Sequence, residues 1–269
     1  MKCELANLSV YYEIVGEGQP ILMVSGIPSD HQIIKSWMEP VFASRPGWQR
    51  IYFDLPGTGR TPAAGITTID QVLDVVREFI DHLLPRQSFT LLGLSAGGYL
   101  ARGYVHRNPE RVNGLCLLVP WLAEHEEADL PSPMVVSRDD EAMRSLSADD
   151  AQKLEGLAVV QNQKVVDWYQ NVVVAARQWG EGLRLEQYTF SFDMDTNPAP
   201  FDKPSLFLLG RQDTHVGYRD AFGILETYPR AALAVLDRAG HALGVEQESL
   251  FQALVNEWLD RVEESLQRS

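Results

Sequence analysis

The stretch FTLLGLSAGGYLARGYVHR, residues 89–107, decides how the chain is read. A six-residue apolar run leads directly into a segment of helical composition, and Ser95 stands between them, with Gly93 before it and Ala96, Gly97 and Gly98 after it. If 89–94 is a central strand and a helix starts just past Ser95, the chain reverses almost at once. Such a turn strains the serine backbone and brings its neighbours two positions away too close to carry side chains. Glycines at the G-x-S-x-G spacing satisfy that requirement. The turn leaves a hydroxyl exposed at the top of the sheet, beside the positive N-terminus of the next helix. Glycine-rich strand-to-helix turns also bind phosphate, but this one lacks the G-K-S/T continuation of a P-loop. A tight turn with an idle serine is the bland alternative.

Outward from this stretch, short apolar runs alternate with helical patterns, as in a parallel sheet covered by helices. LSVYYEIVG (8–16) alternates with period two and is expected to form a hairpin with the first few residues. PILMVSG (20–26) and RIYFDLPG (50–57) follow as strands, with a helix around 37–43 between them. Ile69, Val72, Leu73, Val76, Phe79, Ile80 and Leu83 keep the helical period, with Thr67 or Thr68 as N-cap. Asn108-Pro109 stops the helix after Ser95, and GLCLLVP (114–120) is the next strand. The rhythm then breaks: an acidic, loop-like stretch (123–143) precedes two helical segments near 147–160 and 164–179. It resumes with the strand PSLFLLG (204–210), a helix near 218–228, the strand AALAVLD (231–237) and a C-terminal helix carrying Leu250, Leu254, Trp258 and Val262. The expected organisation is one α/β core made of 1–121 and 201–269, interrupted by a helical insertion over 122–200.

Composition narrows the function classes. With 45% hydrophobic and 22% charged residues among 269, the chain has the makeup of a soluble globular protein with a substantial core. A formal net charge of -14 argues against nucleic acid and against an anionic membrane surface, both of which need clustered Lys and Arg. The N-terminal stretch lacks the pattern of a signal or transit peptide, and no apolar run approaches the roughly 18 residues of a membrane span. Cys3 and Cys116 are far apart, and Cys116 sits in an apolar run as a small hydrophobe. A cytoplasmic setting is the default expectation; a homodimer is left open.

A serine at its ordinary pKa needs a base, and the base an orienting acid. LFLLGRQDTHVG puts Asp213 just past one strand, and AVLDRAGHALGVE puts His241 in the loop past the next. A helix and a strand fit between them, so both loops can open on the sheet edge that carries Ser95, in the chain order Ser, Asp, His. Glu124, just past LCLLVP, is the rival acid. His215, two residues from Asp213, is expected to be peripheral, and Asp54 to brace the PGTGR loop by hydrogen bonds. His31, His82, His106 and His125 show no paired ligand spacing, so no metal is expected.

Taken together, GLSAGG, FDLPGTGRT, GRQD and GH resemble the nucleophile elbow, the D-x-x-G-x-G-x-S loop, the acid turn and the histidine loop of the α/β-hydrolase fold superfamily. The resemblance implies a mostly parallel sheet flanked by helices, with 122–200 as a helical lid. It also implies an oxyanion hole made by the backbone N–H groups of Ile27 and Ala96, with no cofactor. Trp121, Trp168, Tyr169, Trp179 and Tyr188 become candidates to line an acyl or alkyl pocket, or alternatively to pack the lid on the core. The implied chemistry is hydrolysis of a small carboxylic ester or related acyl compound through a Ser95–His241–Asp213 triad and an acyl-enzyme. A serine nucleophile sets aside the dehalogenase and epoxide-hydrolase branches. Lactones, thioesters, amides and C–C bonds beside a carbonyl stay open. So does a proline-iminopeptidase-like reading, with Glu124, Glu126, Glu127 and Asp129 facing a substrate ammonium, and a non-enzymatic ligand receptor. One departure stands out: VSGIP has Ser25 where relatives carry histidine, and its hydroxyl is expected to bond the turn backbone instead.

Overall fold

A computed structural model describes residues 1–122, 129–176, 182–195 and 199–268. Its main sheet contains β1 (Lys2–Glu4), β2 (Ser9–Val15), β3 (Gln19–Val24), β4 (Trp48–Phe53), β5 (Phe89–Leu94) and β6 (Val112–Leu118). Two strands that form it after an excursion are β9 (Ser205–Gly210) and β10 (Ala231–Leu236), with β7 (Ser137–Arg138) and β8 (Val160–Gln161) lying in the excursion. The order across the sheet is β1-β2-β4-β3-β5-β6-β9-β10. β1 and β2 pair antiparallel, as do β2 and β4, and the remaining pairs are parallel. This is the α/β-hydrolase architecture.

Strand β3 shows why the strands read as nearly unbroken apolar runs. Leu22 and Val24 pack on one face with α2 (Ile69–Leu83) and α3 (Ala96–Arg107), against Val72, Leu73, Phe79 and Leu100. Ile21 and Met23 pack on the other with α1 (Gln32–Phe42) and α8 (Glu248–Arg268), against Ile34, Trp37, Phe251 and Trp258. A sheet covered on both sides favours apolar residues on both faces. Thr68 caps α2: its side chain accepts the Gln71 N–H while the Gln71 side chain accepts the Thr68 N–H, a reciprocal capping box.

Between β6 and β9 the chain leaves the sheet. There α4 (Asp140–Met143), α5 (Ala148–Leu157) and α6 (Gln163–Trp168) start on the caps Asp139, Ser147 and Asn162, whose side chains accept backbone N–H groups. α6 continues over Tyr169–Val174 in the wider turns of a π-helix. Glu124, His125, Glu126, Glu127 and Trp179 lie outside the described residues. One expected helix is corrected: 218–228 holds a 3₁₀ segment, Asp220–Thr227, with Ala221 as its one buried residue, too little apolar surface to anchor an α-helix. Among the described residues no helix is long and apolar enough to cross a membrane, and Cys3 and Cys116 are buried and free.

The turn from β5 into α3 is tight. Ser95 sits at φ 56° and ψ -122°. A Cβ at Gly93 would lie 2.3 Å from the Gly97 carbonyl oxygen, and one at Gly97 would lie 2.2 Å from the Val24 carbonyl oxygen. Both neighbours are backbone and cannot step aside. Gly93→Ala and Gly97→Ala are therefore expected to lose about 1–3 kcal/mol or more in urea unfolding, as overpacked cores do. Gly223→Ala, where a Cβ meets nothing within 4 Å, is the control and should stay within about 0.5 kcal/mol of the parent or gain slightly.

Candidate active site

Three loops at the carboxyl ends of parallel strands converge, where open α/β sheets form their crevices. Ser95 follows β5, Asp213 follows β9 and His241 follows β10. The strained serine is locked by its own backbone: its N–H donates to Leu118 O at 2.9 Å, and its carbonyl accepts from Gly98 N–H at 2.8 Å and Trp121 N–H at 3.0 Å.

Asp213 is fully buried. Its Oδ1 accepts the backbone N–H groups of His215 and Val216 at 2.8 and 3.2 Å, and its Oδ2 lies 2.8 Å from His241 Nδ1. A carboxylate only accepts, so Nδ1 carries the proton and Nε2 is left as an acceptor. Nε2 stands 3.1 Å from Ser95 Oγ, in reach of the hydroxyl proton. Burial of the imidazole favours its neutral form, but the charge of Asp213 and its hydrogen bond outweigh that, and Glu246 adds to them. His241 therefore titrates above the ordinary histidine value.

The loop after β3 faces Ser95 from the other side. A Cβ on Gly26 would lie 3.0 Å from Ser95 Cβ, so a side chain there would press the loop and Ser95 apart by a few tenths of an ångström. Ile27 follows, and its residue and Ala96 both border the cavity in front of Ser95. The Ala96 N–H is the first of α3, one of the amides for which a helix offers no internal acceptor. Ser25 donates its hydroxyl to Asp30 O at 2.8 Å, a local bond within the turn. A brace that the sequence did not reveal lies just beyond: the buried His31 donates from Nδ1 to Asp54 Oδ1 at 2.6 Å, and its backbone N–H donates there too. Asp54 Oδ2 accepts the Arg60 N–H at 2.8 Å, so one carboxylate ties the PGTGR loop to the start of α1.

The cavity measures about 860 Å³ and its walls are mostly apolar. Trp121 and Trp168 line it, with Trp37, Leu94, Leu157 and Val216. Trp168 is held by its indole N–H, which donates to Ser36 Oγ at 3.0 Å. Tyr169 does not line it, which corrects the expectation for this residue. One step along the helix from Trp168, its ring points into the core of the insertion, fully buried, and its hydroxyl donates to Asp150 at 3.3 Å. Leu185–Thr189 form a further wall, fastened to α2 by the Glu186 N–H to Thr67 O and the Ile69 N–H to Gln187 O. Tyr188 edges against Trp121 from there. His215 is not remote: its ring stacks on His241 at 5.0 Å and 19° and borders the cavity.

Fold and site together define an α/β-hydrolase. Residues 42–248 match the family model described as Serine aminopeptidase, S33, and the chain belongs to this family. It is similar to a pimeloyl-(acyl-carrier protein) methyl ester esterase of Aeromonas hydrophila, 25% identical over 268 residues that cover 94% of this chain and all of the relative. Among solved structures it is similar to an α/β superfamily hydrolase from Oenococcus oeni PSU-1, with a TM-score of 0.87 at 24% identity, covering 98% of this chain and 99% of that one. A thermophilic esterase from Thermogutta terrifontis superposes with a TM-score of 0.71 at 22% identity, covering 95% and 94%.

The electrostatics are open to direct test. In an NMR titration the His241 imidazole should show a midpoint above 6.5. In Asp213→Asn the raising charge is gone while burial remains, so the midpoint should drop below that of the parent by a unit or more, of the order seen for a close opposite charge. An unmoved midpoint would mean that Asp213 does not set the charge of the ring.

Proposed function

We propose that the protein is a serine hydrolase that cleaves a small carboxylic ester through an acyl-enzyme, with Ser95 as nucleophile, His241 as general base and Asp213 as its orienting acid. The observation that carries this reading is the unbroken chain Asp213–His241–Ser95, at 2.8 and 3.1 Å, ending on a serine held at φ 56°. Ser95 gives its proton to Nε2 as Oγ attacks the ester carbonyl carbon. The developing imidazolium is stabilised by Asp213, and the oxyanion is received by the backbone N–H groups of Ile27 and Ala96. His241 then returns the proton to the departing alcohol. Water, deprotonated by the same imidazole, cleaves the acyl-enzyme and restores Ser95. In this reading 122–200 acts as the lid over the site, and Trp121 and Trp168 contact the acyl group.

The lining of the cavity favours a neutral acyl group. No Lys or Arg is among its described residues, so a carboxylate in the substrate tail would be buried without a partner. A free small ester is therefore proposed, although relatives are named for a carrier-bound one. The family description supports a second reading, an aminopeptidase. It needs a carboxylate facing the substrate ammonium, and Glu186 is the one carboxylate among the described lining residues. Glu186 is exposed to water, which weakens such a contact.

Sustained turnover of p-nitrophenyl acyl esters, with aminoacyl anilides as the comparison arm, tests the reading. A fluorophosphonate should label Ser95, and Ser95→Ala should abolish labelling and turnover together. Asp213→Asn is expected to lower kcat by about 10⁴, because the wrong tautomer then faces the serine. Ser25→Ala should cost less than one oxyanion donor, roughly 2.7–4 kcal/mol, since the proposed donor is backbone. Labelling of Ser95 without turnover on any ester or anilide would replace the enzyme by a ligand receptor.

A further inference from the structure

The short helix α7 (Leu243–Glu246) carries a carboxylate that joins two distant parts of the chain. Glu246 Oε2 accepts the backbone N–H of Gly240 at 2.7 Å, immediately before His241. Its Oε1 accepts the N–H groups of Val159 and Val160 at 2.6 and 3.0 Å, where β8 begins in the insertion. The junction is close-packed on the other side of the histidine as well. Ala242 N–H donates to Leu157 O at 3.1 Å, and a Cβ on Gly240 would lie 2.7 Å from that same oxygen. The His241 loop therefore leans on the insertion through backbone contacts, and Glu246 is the side chain that bolts the two together.

We propose that Glu246 is a positioning residue of this site: its ionised carboxylate clamps the Gly240–His241 loop against the insertion, holding the imidazole at the distance from which it reaches Ser95. The proposal rests on the catalytic reading of Ser95 and His241 given above.

The chemistry of the contact requires the charged form. Three N–H donors converge on one group, and a carboxylate offers strong acceptors on both oxygens with no donor to compete. A glutamine could keep its oxygen on Val159 and Val160, but its NH₂ would then face the Gly240 N–H, donor against donor. Protonation puts an O–H on one of these oxygens and weakens its acceptance of an N–H, so glutamine acts as an exaggerated version of the protonated acid. Burial pushes Glu246 up to about 7; the three backbone N–H bonds pull against that, and the charge of Asp213 adds to it. The titratable groups that face it are Asp213, from the loop after β9, and His241, from the loop after β10. The insertion presents backbone amides. A carboxyl whose folded pKa lies above its unfolded 4.5 loses stability for the fold as pH rises from 4.5 to about 7. Stability is thus not what Glu246 supplies above neutrality, whereas a seated base is.

The test is the second-order rate of fluorophosphonate labelling from pH 5 to 9 for the unmodified protein and Glu246→Gln, with thermal melts of both. For the unmodified protein, the rate should fall below pH 7 more steeply than one proton allows, since His241 and Glu246 both take up protons there. The Gln variant should label roughly 10- to 100-fold more slowly at pH 8, the scale of a misplaced catalytic group. Its acid limb should follow a single proton at a lower midpoint, because His241 has lost the charge of Glu246, and its melting temperature at pH 8 should not fall. Equal labelling rates at pH 8 would overturn the clamp and leave the hydrolase reading intact. An unlabelled parent protein would overturn both. Should the variant fail to fold, the parent profile decides: a one-proton acid limb overturns the proposal.

Discussion

The space that Gly93 and Gly97 leave empty is the constraint on which the rest of the site depends. Because neither carries a Cβ, α3 can start within contact of the Val24 and Ser25 carbonyls, and the chain can turn through Ser95 at a φ that ordinary residues avoid. The strain is held by three backbone hydrogen bonds of Ser95 itself, two of which reach β6 and the residues just past it. Those bonds come from a sheet buried on both faces, so the cost of the turn is spread over a core with little freedom to relax. From this turn the hydroxyl reaches the imidazole of His241, in the loop after β10.

What meets it there is governed by charge. Asp213 has no exposed surface, and two backbone amides plus the His241 ring satisfy its oxygens. One of those amides belongs to His215, whose ring stacks on that of His241. The stacked ring covers one face of the imidazole and limits how it can tilt. Negative charge from Asp213 and Glu246 favours the charged form of that imidazole against its burial.

Much of this was legible in the sequence, because it follows from local rules. The alternation of strands and helices could be anticipated from apolar runs and helical periods, and the start of α2 from Thr67 or Thr68, of which Thr68 is the cap. Ser95, Asp213 and His241 were recognisable because each follows a strand that reads as buried, and parallel strands put their following loops on one edge. What escaped depends on long-range packing. Nothing in WY at 168–169 says which ring faces a cavity; the helix phase in the wide turns after Trp168 decides it, and it sends Tyr169 into the core. His31 looks like any surface histidine until Asp54 arrives from the end of β4. Glu246 reads as an ordinary helical acid, because its three partners are backbone amides, which a sequence does not distinguish.

The division of labour between core and insertion follows from these contacts. Ser95 and Ala96 stand where β5 passes into α3, and Ile27 lies in the loop after β3, all at the edge of the buried sheet. The histidine hangs from a loop whose hydrogen bonds run to Leu157, Val159 and Val160, and the cavity wall at Trp168 and Val173 belongs to that same insertion. Any displacement of the insertion is therefore felt at two points at once, the volume available to a ligand and the seat of the imidazole. A segment that merely covered the cavity would need neither the buried carboxylate nor the close approach at Gly240. Their presence makes the insertion part of the framework that seats the His241 loop, and it ties the cavity wall at Trp168 and Val173 to the position of the imidazole.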